Sequence, residues 1–208
     1  MKRFWRGLLN PKSERVVTVV SGLPRSGTSM IMKMLEAGGI PPLTDEIRTA
    51  DRDNPKGYYE FERVKKLDEG DTAWLEDAKE KAVKVISALL EHLPDDYIYR
   101  VVFMRREMEE ILASQRQMLI RRGEPTDSVS DEQMTQLFGK HLEQIQAWID
   151  EKPNVEVIYV SYNEVLEDPV TQAERINQFL GNRLNVERMA SVVDPKLYRQ
   201  RQEEVSTG

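Results

Sequence analysis

The chain has 208 residues, 39% of them hydrophobic and 32% charged, with 30 basic against 36 acidic side chains, a formal net charge of −6 and no cysteine. That length is one domain with room for a full core. The acidic balance excludes a general binder of nucleic acid or anionic membrane, which needs a basic surface. The lack of cysteine removes disulfides, thiolate catalysis and cysteine metal sites, and fits the cytoplasm.

Residues 1–15 start basic and carry Phe4, Trp5, Leu8 and Leu9. Lys2, Arg3 and Arg6 break any apolar run, so this is neither a signal peptide nor a membrane span, and it reads as a surface tail. Val16-Val17-Thr18-Val19-Val20 is β-branched without alternation, which predicts a strand buried on both faces. Met30, Ile31, Met34 and Leu35 then fall at helical spacing over 28–37, and Gly38-Gly39 before Pro41-Pro42 predicts the stop. Residues 44–61 are polar and turn-rich, a loop. The span 64–79 reads as a weak, charged helix, and 82–86 as a strand with helix competing.

Tyr99 to Met104 is the next strand. The helix after it carries Met108, Ile111, Leu112, Gln115, Met118 and Leu119 on one face, with a mobile loop expected at 122–131. Ser130 and Gln133 fit a capping box. The helix it opens sets Met134, Leu137, Phe138, His141, Leu142, Ile145, Trp148 and Ile149 on one stripe, and His141 is expected to be a buried, hydrogen-bonded core residue. Val155 to Val160 is a strand, Asp168-Pro169 opens a helix, and Gly181 ends it. The alternation predicts one α/β domain over 1–208, with a central parallel sheet flanked by helices in three P-loop-like layers.

The chemistry centres on Gly22-Leu23-Pro24-Arg25-Ser26-Gly27-Thr28-Ser29. Glycines at 22 and 27 let the backbone turn tightly and aim its N–H groups at one anion, and the following helix adds its positive end. Ser26, Thr28 and Ser29 add hydroxyls, and Arg25 adds a forked cation suited to phosphate oxygens. In the nucleoside-triphosphate loop G-x-x-x-x-G-K-[ST], a lysine would stand at Thr28. Here the cation has moved to position 25, and the strands ending at Arg106 and Tyr162 offer no aspartate for magnesium. The site therefore reads as one for an anion handled without metal.

These residues resemble the phosphosulfate-binding loop of the sulfotransferases, P-[RK]-S-G-T-[TS]. The resemblance implies the donor 3′-phosphoadenosine 5′-phosphosulfate (PAPS), with the bisphosphate PAP as product. The family's second signature is an arginine ending a strand and a serine eight residues later, which hold the 3′-phosphate. Arg106 and Ser114 have that spacing, with Arg105 a lesser candidate. Tyr159 to Val165, followed by Glu167-Asp168-Pro169, is similar to the family's late strand and proline-led helix, placing Tyr162 near the adenine. Val193 to Arg199 falls where the family returns a basic segment over the nucleotide.

The resemblance also implies a base. Some sulfotransferases use a glutamate shortly after the loop and helix, and Glu46, 21 residues after Arg25, falls there, with Asp45 the runner-up. His92-Leu93-Pro94 imitates the histidine segment of other members but comes too late before Arg106. Two alternatives remain: a nucleotide kinase, or a scaffold protein that kept the fold and lost catalysis. The acceptor (sugar, lipid, peptide tyrosine or small phenol) and the oligomeric state are left open.

Overall fold

The computed structural model describes residues 15–45, 59–126 and 129–194. The expectations for the tail before Arg15, for Glu46 and for the segment from Pro195 onward lie outside these residues.

Strands β1 (Val16–Gly22), β2 (Ala82–Lys84), β3 (Ile98–Arg105) and β4 (Val155–Ser161) form one parallel sheet in the order β2-β1-β3-β4. Alternate residues of the apolar runs feed opposite cores. Val17, Val19, Tyr99, Val101 and Phe103 join Trp74, Leu75, Ile145 and Ile149 on one face. Val20, Val102, Met104 and Val160 join Ile31, Met34, Leu35 and Ile176 on the other. Each such aliphatic side chain removed from water contributes about 1.5–3 kcal/mol, which is why the run without alternation becomes an interior strand.

The helices are α1 (Thr28–Gly38), α2 (Met108–Arg122), α3 (Asp131–Glu151), α4 (Tyr162–Glu167), α5 (Pro169–Phe179) and α6 (Val186–Ser191). Helices α1 and α4 to α6 cover the second core, and the end of α3 covers the first, so the three layers are present. The local signals act as expected. Gly39, at φ 111°, caps α1 and returns its N–H to Leu35 and Glu36. Ser130 and Gln133 form a reciprocal capping box, and the Asp168 carboxylate accepts from the Thr171 N–H ahead of Pro169.

Four readings change. The span 64–79 is not one helix but two short 3₁₀ turns, Glu62–Lys66 and Ala73–Glu76, with Gly70 between them at φ 85°. Val64, Leu67, Trp74, Leu75 and Ala78 anchor this winding segment in the core; their spacing would also suit one helix face, but Gly70 in the left-handed region breaks the run. The ambiguity at 82–90 resolves into both options: three residues of strand, then a 3₁₀ turn at Ser87–His92. The stripe on α3 is core only in its second half, where Ile145 and Ile149 are buried, while Leu137 is 57% exposed. A helix of 21 residues is about 32 Å long and outruns the sheet. A short connection leads from α3 into the start of β4, so the first half of α3 projects past the C-terminal edge of the strands. Helix α2 runs through Arg122 to a cap at Gly123, so the region expected as a loop from 122 begins one residue later.

Candidate active site

Helix α1 begins at the C-terminal end of β1, beside β3. Chain order reverses between these strands, the place where open α/β sheets hold ligands. Pro24 and Arg25 form the corner of a tight turn closed by Ser26 N–H to Leu23 O, 3.2 Å. Arg25 lies at φ 69°, the left-handed conformation that the third residue of such a turn requires, at a cost of about 1 kcal/mol for a non-glycine side chain. Both glycines are needed sterically as well as for their positive φ. A Cβ on Gly22 would lie 2.8 Å from Met104 O, and one on Gly27 would lie 2.4 Å from the Tyr162 ring. Gly27 caps α1 without a side-chain acceptor, and the first turn of α1 carries no acid. The positive end of the helix is thereby directed at the cavity in front of the loop.

Arg25 and Arg106 are braced by one connected set of hydrogen bonds. Arg25 Nε donates to Ser114 Oγ at 3.0 Å, and Arg106 Nη1 donates to the Arg25 carbonyl at 3.1 Å, holding the strained turn. Arg106 Nε donates to Glu110 Oε2 at 2.9 Å, in a pair whose side chains are 7% and 0% exposed. Glu110 also accepts from Asn163 Nδ2 at 3.2 Å. The Arg106 guanidinium lies over the Tyr162 ring, 4.3 Å from its centre, a favourable cation–π geometry. Burial pushes the Tyr162 phenol up, with Arg106 and Arg25 opposing, so the hydroxyl stays protonated.

A cavity of about 790 Å³ opens in front of the loop, lined by Arg25, Gly27, Thr28, Ser29, Arg106, Ser114 and Tyr162. Lys33, Lys65, Lys84, Arg121 and Arg122 also line it, against the carboxylates of Glu60 and Asp194 among the described residues. A protein with net charge −6 thus concentrates cations at one place. Phe61, Val64, Val85, Ile86, Leu89, Met118, Met134 and Phe138 belong to the apolar part of its lining.

Of the residues singled out from sequence, Arg25, Gly27, Thr28, Ser29, Arg106, Ser114 and Tyr162 therefore come together. Ser26 does not present its side chain. Its Oγ is buried inside the loop against Gly22, and its N–H is used to close the turn. Arg105 points away, stacked 3.8 Å over the Tyr159 ring beside a separate cavity of about 600 Å³. Asp45, the runner-up base, accepts from Glu62 N–H at 2.6 Å, which clamps the two ends of the segment 46–58 together with Thr44 Oγ on Glu60 O. His92 is exposed beside Glu91 and does not line the cavity. His141 is half-buried rather than core, hydrogen-bonded to Ser87 Oγ at 2.8 Å. Sequence reasoning missed Glu110, whose one available signal was its position four residues after Arg106, and Asn163, which follows Tyr162.

Residues 17–203 match the sequence model of the sulfotransferase domain. The chain belongs to the sulfotransferase domain family. Its reaction is sulfuryl transfer from PAPS, the donor this family uses, with release of PAP. The fold agrees with solved structures of low identity. The sulfotransferase domain of the Synechococcus PCC 7002 olefin synthase is 14% identical at a TM-score of 0.53, over 93% of this chain and 83% of that one. The sulfotransferase STF1 of Mycobacterium tuberculosis is 15% identical at 0.57, over 92% and 75%. The mouse sulfotransferase SULT7A1, solved in complex with PAP, is 18% identical at 0.50, over 94% and 66%. Compared by sequence with curated proteins, the chain has no significant match. No helix of the described residues is long and apolar enough to cross a membrane.

Proposed function

We propose that the loop and its neighbours divide the donor between them. Arg25, the hydroxyls of Thr28 and Ser29 and the N-terminal amides of α1, with Gly27 leaving the backbone room to approach, take the 5′-phosphosulfate. Arg106 and Ser114 take the 3′-phosphate. Tyr162 supports Arg106 from below at the adenine end. Ser26 acts by shaping the loop rather than by offering its hydroxyl. The donor set fits a multiply charged anion: forked cations, helix amides and hydroxyls meet in one cavity. The observation that carries the reading is the connection of Arg25 to both Ser114 and Arg106, which joins the two sequence signatures into one unit. Ser114 Oγ accepts from Arg25 and so keeps its own proton to donate.

The donor supplies an activated sulfuryl group: an S–O bond to the acceptor forms as the S–O bond to phosphate breaks, and PAP departs. The chain has then to stabilise negative charge on the departing phosphate, the role of Arg25 and the α1 amides, and to receive the proton of the acceptor hydroxyl. The resemblance to sulfotransferases that carry a glutamate base shortly after the loop and helix makes Glu46 our candidate, and the hydrogen bond that Asp45 accepts from Glu62 N–H favours Glu46 over it. A cytoplasmic, metal-free enzyme is the setting in which we place this chemistry. Titration calorimetry with PAP tests it: binding of equal strength in magnesium and in chelator is expected, and magnesium-dependent binding of ATP without binding of PAP would overturn it. Glu46→Gln should lower kcat about a hundredfold and leave PAP affinity unchanged. Full activity would remove Glu46 from the mechanism.

A further inference from the structure

We infer that the β2 side of the cavity is the acceptor site and that it takes a hydroxyl carried on an apolar body, an alkanol or alkylphenol. The inference rests on the donor placement proposed above. Displacement at sulfur needs the attacking oxygen opposite the departing phosphate. Arg106 follows β3 and Tyr162 follows β4, so the nucleotide lies to that side of the loop and the open, attacking side faces β2.

What stands on that side differs in chemistry from the donor end. Lys84 ends β2 in register with Val20, close to where the loop leaves β1. Its Nζ lies 3.9 Å from Glu60 Oε1, and its side chain is 11% exposed. This polar pair is placed to meet a hydroxyl. Beyond it the wall is Phe61, Val64, Ile86, Leu89, Met118 and Phe138, drawn from the 3₁₀ segments, α2 and α3. Ile86 is 46% exposed although it lines the cavity. With the other apolar side chains of the lining it forms one surface that an apolar body would cover. Against these six side chains the hydroxyls of a sugar ring would lose water, with partners only among the neighbouring polar lining such as Lys65, Gln117 and Arg121, whereas an alkyl or aryl body gains by burial. The volume, about 790 Å³, lies in the upper part of the range of roughly 300–1,000 Å³ for small-molecule sites, and the two ends differ in polarity as donor and acceptor would require.

The test is calorimetry on protein saturated with PAP, titrated with linear alkanols and 4-alkylphenols of increasing chain length. Affinity should rise about fourfold per added methylene until the wall is filled. Ile86→Asp should weaken the longest ligand at least tenfold while PAP binds as before. Transfer of labelled sulfate from PAPS should follow the same order, and the alkanol and alkylphenol series show which body the wall prefers. Chain-length-independent binding, or transfer to glucosides or tyrosyl peptides but not to the alkyl series, overturns the acceptor inference while leaving the donor reading intact. Failure of PAP itself to bind would bring down both.

Discussion

The two ends of the cavity are built in opposite ways. On the β3 side, Arg25, Arg106, Glu110, Ser114 and Asn163 are linked to one another by hydrogen bonds, and Tyr162 is wedged beneath Gly27 and Arg106. On the β2 side, Lys84 ends a three-residue edge strand, Glu60 stands just before a 3₁₀ turn, and the apolar side chains come from the 3₁₀ segments and their flanks, α2 and α3. The difference follows from what each end has to hold. A phosphate is recognised by several donors at fixed angles, so its site needs a rigid backbone and braced cations. An apolar body is held by area, without direction, and the wall that holds it needs only the right side chains at the surface.

The contrast can be broken at its strongest point by Glu110→Ala. Arg106 would keep a charge that is 7% exposed and lose its buried partner, so stability should fall by about 3–5 kcal/mol, read as the urea midpoint, with Glu110→Asp recovering part of it. A change below about 1 kcal/mol would show that the donor end is not held by that pair. Ser114→Ala is the next test. Loss of the charge-assisted hydrogen bond from Arg25 should weaken PAP about tenfold, with little effect on stability.

The smallest effect belongs to the β2 side. His141 on α3 pairs with Ser87 in the 3₁₀ turn that carries Leu89, so it ties one apolar wall to the other. Burial pushes its imidazole below the usual value of 6.5, with Glu91 opposing, and the folded protein holds it neutral. The unfolded chain takes up a proton near pH 6.5 and the folded chain only at lower pH. This contribution to stability is therefore complete above 6.5 and is lost as the pH falls from there toward the lowered folded value. Thermal melts across that window should show wild type losing stability faster than His141→Gln, by less than about 1 kcal/mol. Equal slopes would remove His141 from the account.

Much of the donor end could be read before folding, because its demands are local. Left-handed turns select glycine, a helix start selects its own spacing, and the eight-residue step from Arg106 to Ser114 lies within one strand and helix junction. The inward turn of Ser26, the brace of Glu110 and Asn163 on Arg106, and the departure of Arg105 toward Tyr159 could not be read. Each depends on a neighbour met only in the folded chain: Ser26 against Gly22, Glu110 of α2 against Asn163 of α4, and Arg105 against the Tyr159 ring of β4. Three of the readings that changed, at 64–79, 82–90 and the first half of α3, lie at the edge of the sheet or beyond it. At 64–79 the buried side chains keep a helical period, yet Gly70 at φ 85° breaks the helix.

The amino-acid sequence by itself determined the parallel sheet, the anion loop and the two signatures that mark a sulfotransferase, because buried strands and phosphate-binding backbones constrain neighbours in the chain. Only the tertiary structure decided how Arg25 and Arg106 are held, that Asp45 accepts from Glu62 N–H, and that side chains from Phe61 to Phe138 share one wall. Those facts arise between residues far apart in the chain, where nothing links them but the geometry of the folded molecule.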